Sequence, residues 1–234
     1  SRRQRQMCIR DSLSCARTRN SRRDNRFFGA AETVMNGSIF LIRRDCSRTH
    51  FLSGHIISIT DDLKDFEVKN MGTEMPAEFY DQFIDRHLIP LEKSPWKKVY
   101  EEAARLLPES KDETIVDIGC GTGRFAKLLY DKGYRKYLGI DFSKGMLEEA
   151  KRYNPSFTFI EGNVYDEAIV RMLQKYNVFV LLEVLEHIEK DKAFLSSLPQ
   201  GSDMVISVPN YDSRAHVRHF KHIDEVIERY DGIL

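Results

Sequence analysis

The fold of this chain is decided by Ile115-Val116-Asp117-Ile118-Gly119-Cys120-Gly121-Thr122-Gly123-Arg124. A short apolar strand is followed here by three glycines at alternate positions, and the helix-forming residues 125–129 come next. Glycine lets the backbone turn sharply and approach a ligand closely, and the first N–H groups of the following helix point to the same place. Asp141 ends the next apolar strand, where an open α/β sheet carries a carboxylate that holds a ribose. The stretch therefore predicts a site for a nucleotide-like ligand at one edge of a sheet.

The glycine spacing and Asp117 narrow the class of ligand. Nicotinamide and flavin folds use G-x-G-x-x-G, whereas this loop has G-x-G-x-G, with Asp117 two residues before its first glycine. A carboxylate would repel a pyrophosphate, but it suits the sulfonium and ammonium groups of S-adenosylmethionine. Residues 116–125 (VDIGCGTGRF) resemble the first motif of class I S-adenosylmethionine-dependent methyltransferases, and residues 138–143 (LGIDFS) resemble their second. The resemblance implies S-adenosylmethionine as the cofactor and methyl transfer as the reaction.

The resemblance also implies roles for individual residues. Asp117 and the glycine loop would hold the methionine end of the cofactor, and Asp141 its ribose hydroxyls. Asn163 and Val164 would contact the adenine; Asn163 stands where Asp is more usual, but its amide oxygen can accept the same hydrogen bond. An aromatic residue at the position of Tyr80 often lies against the cofactor in the family, although core packing is the preferred interpretation of Tyr80. The full predicted cofactor set is Tyr80, Asp117, Gly119, Cys120, Gly121, Thr122, Gly123, Asp141, Phe142, Asn163, Val164 and Glu183.

The rest of the pattern predicts an α/β fold with a doubly wound, mostly parallel sheet. Five apolar strands are expected, with helices over 144–153, 167–175 and 190–198 between them and helices over 77–84 and 96–107 before the first strand. A complete Rossmann-like methyltransferase sheet has seven strands, the last two of which form an antiparallel hairpin. Because only five can be counted before Leu234, we expect a fragment that is truncated before the last two strands.

The charge distribution divides the chain. Residues 1–50 contain twelve Arg, no Lys and four acidic residues, a net charge of +8, whereas residues 51–234 contain 24 basic and 32 acidic residues, a net charge of −8. We therefore expect a basic leader over residues 1–70 and a methyltransferase domain over residues 71–234. The leader is interpreted as a mitochondrial transit peptide, a nucleic-acid-binding arm, or, the preferred interpretation, disordered or translated adapter sequence that is not genuine protein.

Composition also limits the partners. The acidic domain argues against nucleic acid as a partner and favours a small-molecule methyl acceptor. No run of 18 apolar residues exists, so no membrane partner is expected. The four cysteines do not form a disulfide framework, and a reducing, cytoplasmic location fits them. The sequence leaves the oligomeric state open.

A second motif, Glu183-Val184-Leu185-Glu186-His187, follows the fourth predicted strand. It allows three interpretations: a structural loop, a general base at His187, which is the catalytic candidate, or a divalent metal site formed by Glu183, Glu186 and His187. The motif is similar to the E-V-x-E-H pattern of ubiquinone-pathway and small-RNA methyltransferases, in which two glutamates and a histidine can hold a metal. The metal is not the favoured interpretation, because the string also occurs in relatives that need none.

Three further histidines lie near the C-terminal end. His216, His219 and His222 are spaced three residues apart, so a helix would place them on roughly one face. We expect them to be solvated, with substrate contacts or a further metal ligand as the alternative.

Overall fold

The computed structural model describes residues 34–35, 38–43 and 72–234. Its strands are β1 (Val34–Met35), β2 (Ser38–Arg43), β3 (Ile115–Ile118), β4 (Tyr137–Asp141), β5 (Thr158–Glu161), β6 (Val178–Leu182) and β7 (Asp203–Pro209). Its α-helices are α1 (Ala77–Asp81), α2 (Ile84–His87), α3 (Lys97–Leu106), α4 (Arg124–Asp131), α5 (Lys144–Tyr153), α6 (Glu167–Leu173), α7 (Asp191–Ser197) and α8 (Ile223–Tyr230). Two 3₁₀ turns cover Leu91–Lys93 and Leu185–His187.

The strands form one sheet in the order β1-β2-β7-β6-β3-β4-β5. β3 to β7 are parallel, as the alternation of strands and helices predicted. The central strands are apolar on both faces: Val116 and Ile118 of β3 belong to one buried cluster, and Ile115 belongs to the cluster on the opposite face. Such strands are typical of a parallel sheet that is covered by helices on both sides. The predicted doubly wound α/β fold is confirmed.

The antiparallel edge of the sheet differs from the prediction. β2 pairs with β7 over six residues in antiparallel orientation, and β1 pairs with β2. The charge pattern predicts that these residues belong to a leader outside the domain, and the count of five strands predicts no antiparallel pair. An apolar run, 39–42, lies beside the otherwise open hydrogen-bonding edge of β7, and edge strands readily accept such a partner. Residues 1–33, 36–37 and 44–71, on which the other interpretations of the leader depend, lie outside the described residues.

Two helical predictions also need correction. The helix expected over 77–84 is divided into α1 and α2, with a turn at Gln82 and Phe83 between them. Residues 210–222 contain no helix, so the three histidines do not share a helical face. The backbone of this segment is hydrogen-bonded to other parts of the chain instead: the N–H of Val217 donates to the carbonyl oxygen of Glu186 at 2.8 Å, and the N–H of Phe220 donates to that of Pro209 at 3.4 Å.

The site is positioned by the change of winding direction in the sheet. β4 and β5 lie on one side of β3, whereas β6 and β7 lie on the other. The loops that follow β3 and β6 therefore run in opposite directions from the carboxyl ends of these two neighbouring strands and leave a crevice between them. Ligands usually bind in this crevice in such sheets.

Candidate functional site

A cavity of about 450 Å³ occupies this crevice. Its floor is formed by the loops that follow β3, β4, β5 and β6, and its walls by α1, α2 and the segment after β7. Of the residues predicted to bind the cofactor, all except Asp117 and Gly123 line it. Most of the predicted residues therefore lie around one cavity, while the roles of the individual residues remain predictions.

The glycine loop turns tightly over the end of β3. Gly119, Gly121 and Gly123 all have positive φ angles, of 73°, 52° and 72°. A Cβ on Gly119 would lie 2.6 Å from the side chain of Val184, whereas a Cβ on Gly121 would meet nothing within 4 Å. Gly121 is thus the glycine that leaves open space for a ligand, and Gly119 is required by packing.

Asp141 is fixed by backbone donors at the end of β4. One carboxylate oxygen accepts a hydrogen bond from the N–H of Gly121 at 2.8 Å, and the other accepts one from the N–H of Ser143 at 2.9 Å. Burial raises the pKa of Asp141, and these hydrogen bonds oppose the increase. The carboxylate joins the glycine loop to the start of α5 and lines the cavity, where it can accept hydrogen bonds from a diol.

Asp117 does not reach the cavity. It is buried under the loop and accepts a hydrogen bond from the hydroxyl of Tyr137 at 2.5 Å. Burial raises the pKa of Asp117 to about 7. Successive side chains of a strand point to opposite faces, so Asp117 faces away from its neighbour Ile118, which lines the cavity. The predicted contact between Asp117 and the methionine end of the cofactor therefore remains a prediction.

The part of the cavity near β5 carries Phe142, Asn163 and Val164. The side-chain oxygen of Asn163 accepts a hydrogen bond from the N–H of Tyr165 at 3.0 Å, which fixes its orientation. On the opposite wall, the ring of Tyr80 makes edge-to-face contacts with Phe142 and with His187, with centroids 5.5 Å apart in both pairs. Tyr80 therefore connects the predicted cofactor residues with the second motif.

The second motif begins in a strained conformation. Among the described residues, Glu183 is the one non-glycine residue with a positive φ angle, of 56°. Its N–H donates to the carbonyl oxygen of Ser207 at 3.1 Å, and its carboxylate accepts from the hydroxyl of Ser207 at 2.7 Å. Burial raises the pKa of Glu183 to about 7, and hydrogen bonds from Ser207 and Ser38 oppose this. Backbone strain of this kind is concentrated at functional sites.

Glu186 is fully buried, and within the described part of the chain neither of its carboxylate oxygens has a hydrogen-bond partner. Burial and the nearby Glu183 raise the pKa of Glu186 well above its usual value. The Nε2 of His187 lies 3.5 Å from a carboxylate oxygen of Glu186. An unpaired buried carboxylate is costly, so Glu186 takes up a proton unless a cation compensates its charge.

Two imidazoles face this carboxylate. The Nδ1 of His187 lies 2.9 Å from the carbonyl oxygen of Ala215, and the Nδ1 of His216 lies 3.3 Å from that of Tyr211. Because a carbonyl only accepts, each Nδ1 carries the proton and each Nε2 keeps its lone pair. Burial lowers the pKa of both rings, that of His216 to about 4, and so keeps both neutral.

Ligand atoms of Glu186, His187 and His216 all lie within 4.8 Å of one another. The structure therefore forms a candidate metal cluster that differs from the predicted set, because His216 replaces Glu183, whose carboxylate is bonded to Ser207. The histidine spacing after β7 was the signal for His216, although the expected helix was wrong.

The segment before β3 also contacts the glycine loop. The carbonyl oxygen of His87 accepts hydrogen bonds from the hydroxyl of Thr122 at 3.0 Å and from Nε of Arg124 at 2.7 Å. His87 stacks on Trp96, with ring centroids 4.8 Å apart. The sequence predicts helices before β3, but no motif identified these contacts. Of the helices in the described part of the chain, none is long and apolar enough to cross a membrane.

Comparison with known families decides the class. Residues 93–231, more than half of the chain, match the family model described as a methyltransferase domain. The chain belongs to this family. Family membership, together with the fold, implies S-adenosylmethionine as the cofactor.

Two relatives with named activities match part of the sequence of this chain. It is 33% identical over 115 residues to a trans-aconitate 2-methyltransferase of Afipia carboxidovorans, a match that covers 47% of this chain and 44% of that protein. It is 31% identical over 132 residues to a small RNA 2'-O-methyltransferase of Arabidopsis thaliana, which covers 50% of this chain and 14% of that protein. The chain therefore matches less than half the length of these two relatives.

Solved structures also resemble the chain. A putative S-adenosylmethionine-dependent methyltransferase from Listeria monocytogenes is 30% identical, with a TM-score of 0.40, and the match covers 47% of this chain and 51% of that one. A Haloferax volcanii putative methyltransferase complexed with the Trm112 activator gives 22% identity and a TM-score of 0.44, with coverage of 58% and 57%.

Proposed function

We propose that the protein transfers a methyl group from S-adenosylmethionine to a hydroxyl oxygen of a small-molecule acceptor. The observation that carries this proposal is the position of the cluster of Glu186, His187 and His216, which lines the same cavity as Asp141 and the glycine loop. A cofactor held at Asp141 and an acceptor held at the cluster would share one enclosed space. The class of the reaction follows from the family, and the choice of a hydroxyl follows from the chemistry of the cluster.

The cofactor half of the proposal rests on polar groups along the carboxyl ends of β3, β4 and β5. Asp141 would accept hydrogen bonds from the ribose hydroxyls, and the oriented amide of Asn163 would contact the adenine. Gly121 supplies the open space for the methionine part. These residues hold and orient the cofactor; none of them takes part in a proton transfer.

The acceptor half depends on whether the cluster fits a divalent cation. Glu186 offers two buried oxygens without hydrogen-bond partners in the described chain, and His187 and His216 each offer an Nε2 lone pair. A carboxylate with two neutral imidazoles is a suitable donor set for a transition metal, so the residues fit. When bound, such an ion would polarise the acceptor hydroxyl and make its deprotonated form accessible near neutral pH.

The remaining contribution of the chain is orientation. Methyl transfer is an in-line displacement at the sulfonium carbon, and alignment of two bound reactants can contribute roughly 7–11 kcal/mol. Tyr80 touches both Phe142 and His187, so its ring lies between the cofactor wall and the cluster. It would exclude water from the path between the two reactants.

A small molecule is favoured over nucleic acid because residues 51–234 carry a net charge of −8. The similarity to a small RNA 2'-O-methyltransferase supports a second candidate, a ribose hydroxyl at an RNA end. A domain that binds the cofactor without transferring methyl groups is the third.

These candidates are separated by a transfer assay with tritiated S-adenosylmethionine. The acceptors are vicinal diols, monophenols, amines, carboxylic acids and short RNAs, each with Mn²⁺ or with a chelator. We expect transfer to a small hydroxyl compound that requires the metal and is lost in Glu186→Gln. The control is Glu189→Gln, which removes an exposed carboxylate of the same loop. Preferential transfer to RNA would favour the second candidate, and cofactor binding without any transfer would favour the third.

A further inference from the structure

We infer that Arg218 is a positioning residue for the metal cluster, because its guanidinium holds the turn that carries Glu186 and His187. The expected effect on metal binding rests on the proposed function, whereas the hydrogen bonds of Arg218 to the turn are present without a metal. Arg218 lies in the segment after β7, and its side chain is 13% exposed.

The guanidinium of Arg218 donates hydrogen bonds to three carbonyl groups in and just after the turn. Nη1 of Arg218 donates to the carbonyl oxygen of Leu185 and, at 2.6 Å, to that of Ile188. Nη2 donates to the carbonyl oxygen of Glu189 at 3.0 Å. The turn at Leu185–His187 is a single 3₁₀ turn, in which the carbonyl oxygen of Leu185 also accepts from the N–H of Ile188 at 3.3 Å. Ile188 and Glu189 lie beyond its end, so their carbonyl groups need partners from outside the turn. Arg218 supplies those partners through its fixed fork of donors, a geometry that lysine cannot reproduce.

The position of Glu186 depends on this turn. Within the described residues no hydrogen bond holds its carboxylate, so its direction is set by its backbone. That backbone is fixed from the same segment as Arg218, since the N–H of Val217 donates to the carbonyl oxygen of Glu186 at 2.8 Å. The position of His187 is fixed similarly, through Ala215. The segment that supplies His216 to the cluster thus also orients the two other ligands.

The carbonyl contacts of Arg218 can be separated from its ion pair. Arg218 lies 3.3 Å from a carboxylate oxygen of Asp191. Asp191 is held independently by Arg229, at 2.7 and 2.8 Å, and by the hydroxyl of Tyr230 at 2.7 Å. Arg229→Gln therefore removes one positive charge from the same network and leaves the three carbonyl contacts intact. It is a matched control for Arg218→Gln.

The test combines amide hydrogen exchange with Mn²⁺ titration by calorimetry on the full chain. In Arg218→Gln, the amides of His187 and Ile188, which close the turn, should exchange faster, while exchange in α5 is unchanged. Mn²⁺ affinity should fall ~10–100-fold, the usual effect of losing a group that orients metal ligands. S-adenosylmethionine affinity should stay within about twofold. Arg218 does not line the cavity, and changes at separate sites have nearly independent effects. Arg218→Lys should recover only part of the loss.

The inference is overturned if exchange in the turn of Arg218→Gln equals that of the wild type, or if Arg229→Gln loosens the turn to the same extent. If the wild-type protein binds no Mn²⁺, the metal part of the proposed function fails, and the exchange comparison between the two arginine variants still decides the role of Arg218. A general loss of folding would appear as faster exchange in α5. In that case the amide exchange of the turn in Arg218→Lys is compared with that in Arg229→Gln, and faster exchange in Arg218→Lys alone supports the role of Arg218.

Discussion

The Nδ1 of His187 lies 2.9 Å from the carbonyl oxygen of Ala215, and this contact determines the tautomer of the ring. The proton must sit on Nδ1, so the lone pair of Nε2 faces the buried carboxylate of Glu186, 3.5 Å away. A ring held in this way can act as a metal ligand or as a base for an acceptor hydroxyl. The two roles differ in their response to chelation and to pH.

The first prediction concerns this choice. If His187 binds a cation with Glu186 and His216, a chelator should abolish methyl transfer and Mn²⁺ should restore it. His216→Ala should then need a higher Mn²⁺ concentration for the same activity. If His187 is instead the general base, a chelator has no effect. The rate then rises with pH and becomes constant above a pKa below 6.5, since burial lowers the pKa of His187. Full activity of His187→Ala with no chelator effect would leave only a structural role.

The glycine loop gives a paired prediction. Gly121→Ala and Gly123→Ala both place a side chain in the left-handed region, at a cost of roughly 1–2 kcal/mol. The Cβ at position 123 would also lie 2.6 Å from Nδ2 of Asn154, whereas the one at 121 is unobstructed. Thermal unfolding should therefore show a larger loss of stability for Gly123→Ala. Calorimetry should show the larger loss of S-adenosylmethionine affinity for Gly121→Ala, and the reverse ranking would contradict this division.

Asp117 gives a pH prediction. Its pKa is raised from 3.8 to about 7 in the folded protein, so the folded state retains a proton that the unfolded state has lost. Its contribution to stability is therefore largest below 3.8 and is lost as the pH rises to about 7. In Asp117→Asn, which can still accept from Tyr137, the free energy of unfolding should decline less between pH 4 and 8 in urea titrations. An unchanged pH dependence would show that Asp117 titrates normally.

The edge strands give the fourth prediction. A chain that begins at residue 34 and one that begins at residue 44 differ by β1 and β2, and the shorter chain leaves the edge of β7 unpaired. It also removes Ser38, which hydrogen-bonds Glu183. The shorter chain should have the lower melting temperature. Equal melting temperatures would instead support the interpretation that residues 1–70 form a leader outside the domain.

The sequence was most informative where the relevant residues are adjacent along the chain. The glycine loop and Asp141 could be located because strand, turn and helix signals occur in one continuous run. The orientation of Asp117 was missed because a motif does not state which face of the strand its acidic residue occupies. Tyr137, which pairs with it, lies 20 residues further on.

Long-range contacts account for the other differences. His216 and Arg218 meet the second motif only because β7 lies beside β6, with Ala215 and His187 separated by 28 residues in sequence. β2 joins the sheet from the other end of the chain, and its four-residue apolar run, 39–42, carried no turn or helix signal that linked it to β7. Such pairings depend on the topology of the sheet, which local patterns do not specify.

The central claim is that the cavity binds S-adenosylmethionine through Asp141. It is tested most directly by calorimetric titration of the wild type, Asp141→Ala and Glu161→Ala, the last of which removes an exposed carboxylate at the end of the neighbouring strand β5. We expect one site in the wild type, a loss of ~1–3 kcal/mol in Asp141→Ala from unpaired ligand donors, and no change in Glu161→Ala. Binding of NAD in place of S-adenosylmethionine, or equal affinity in all three proteins, would contradict the account.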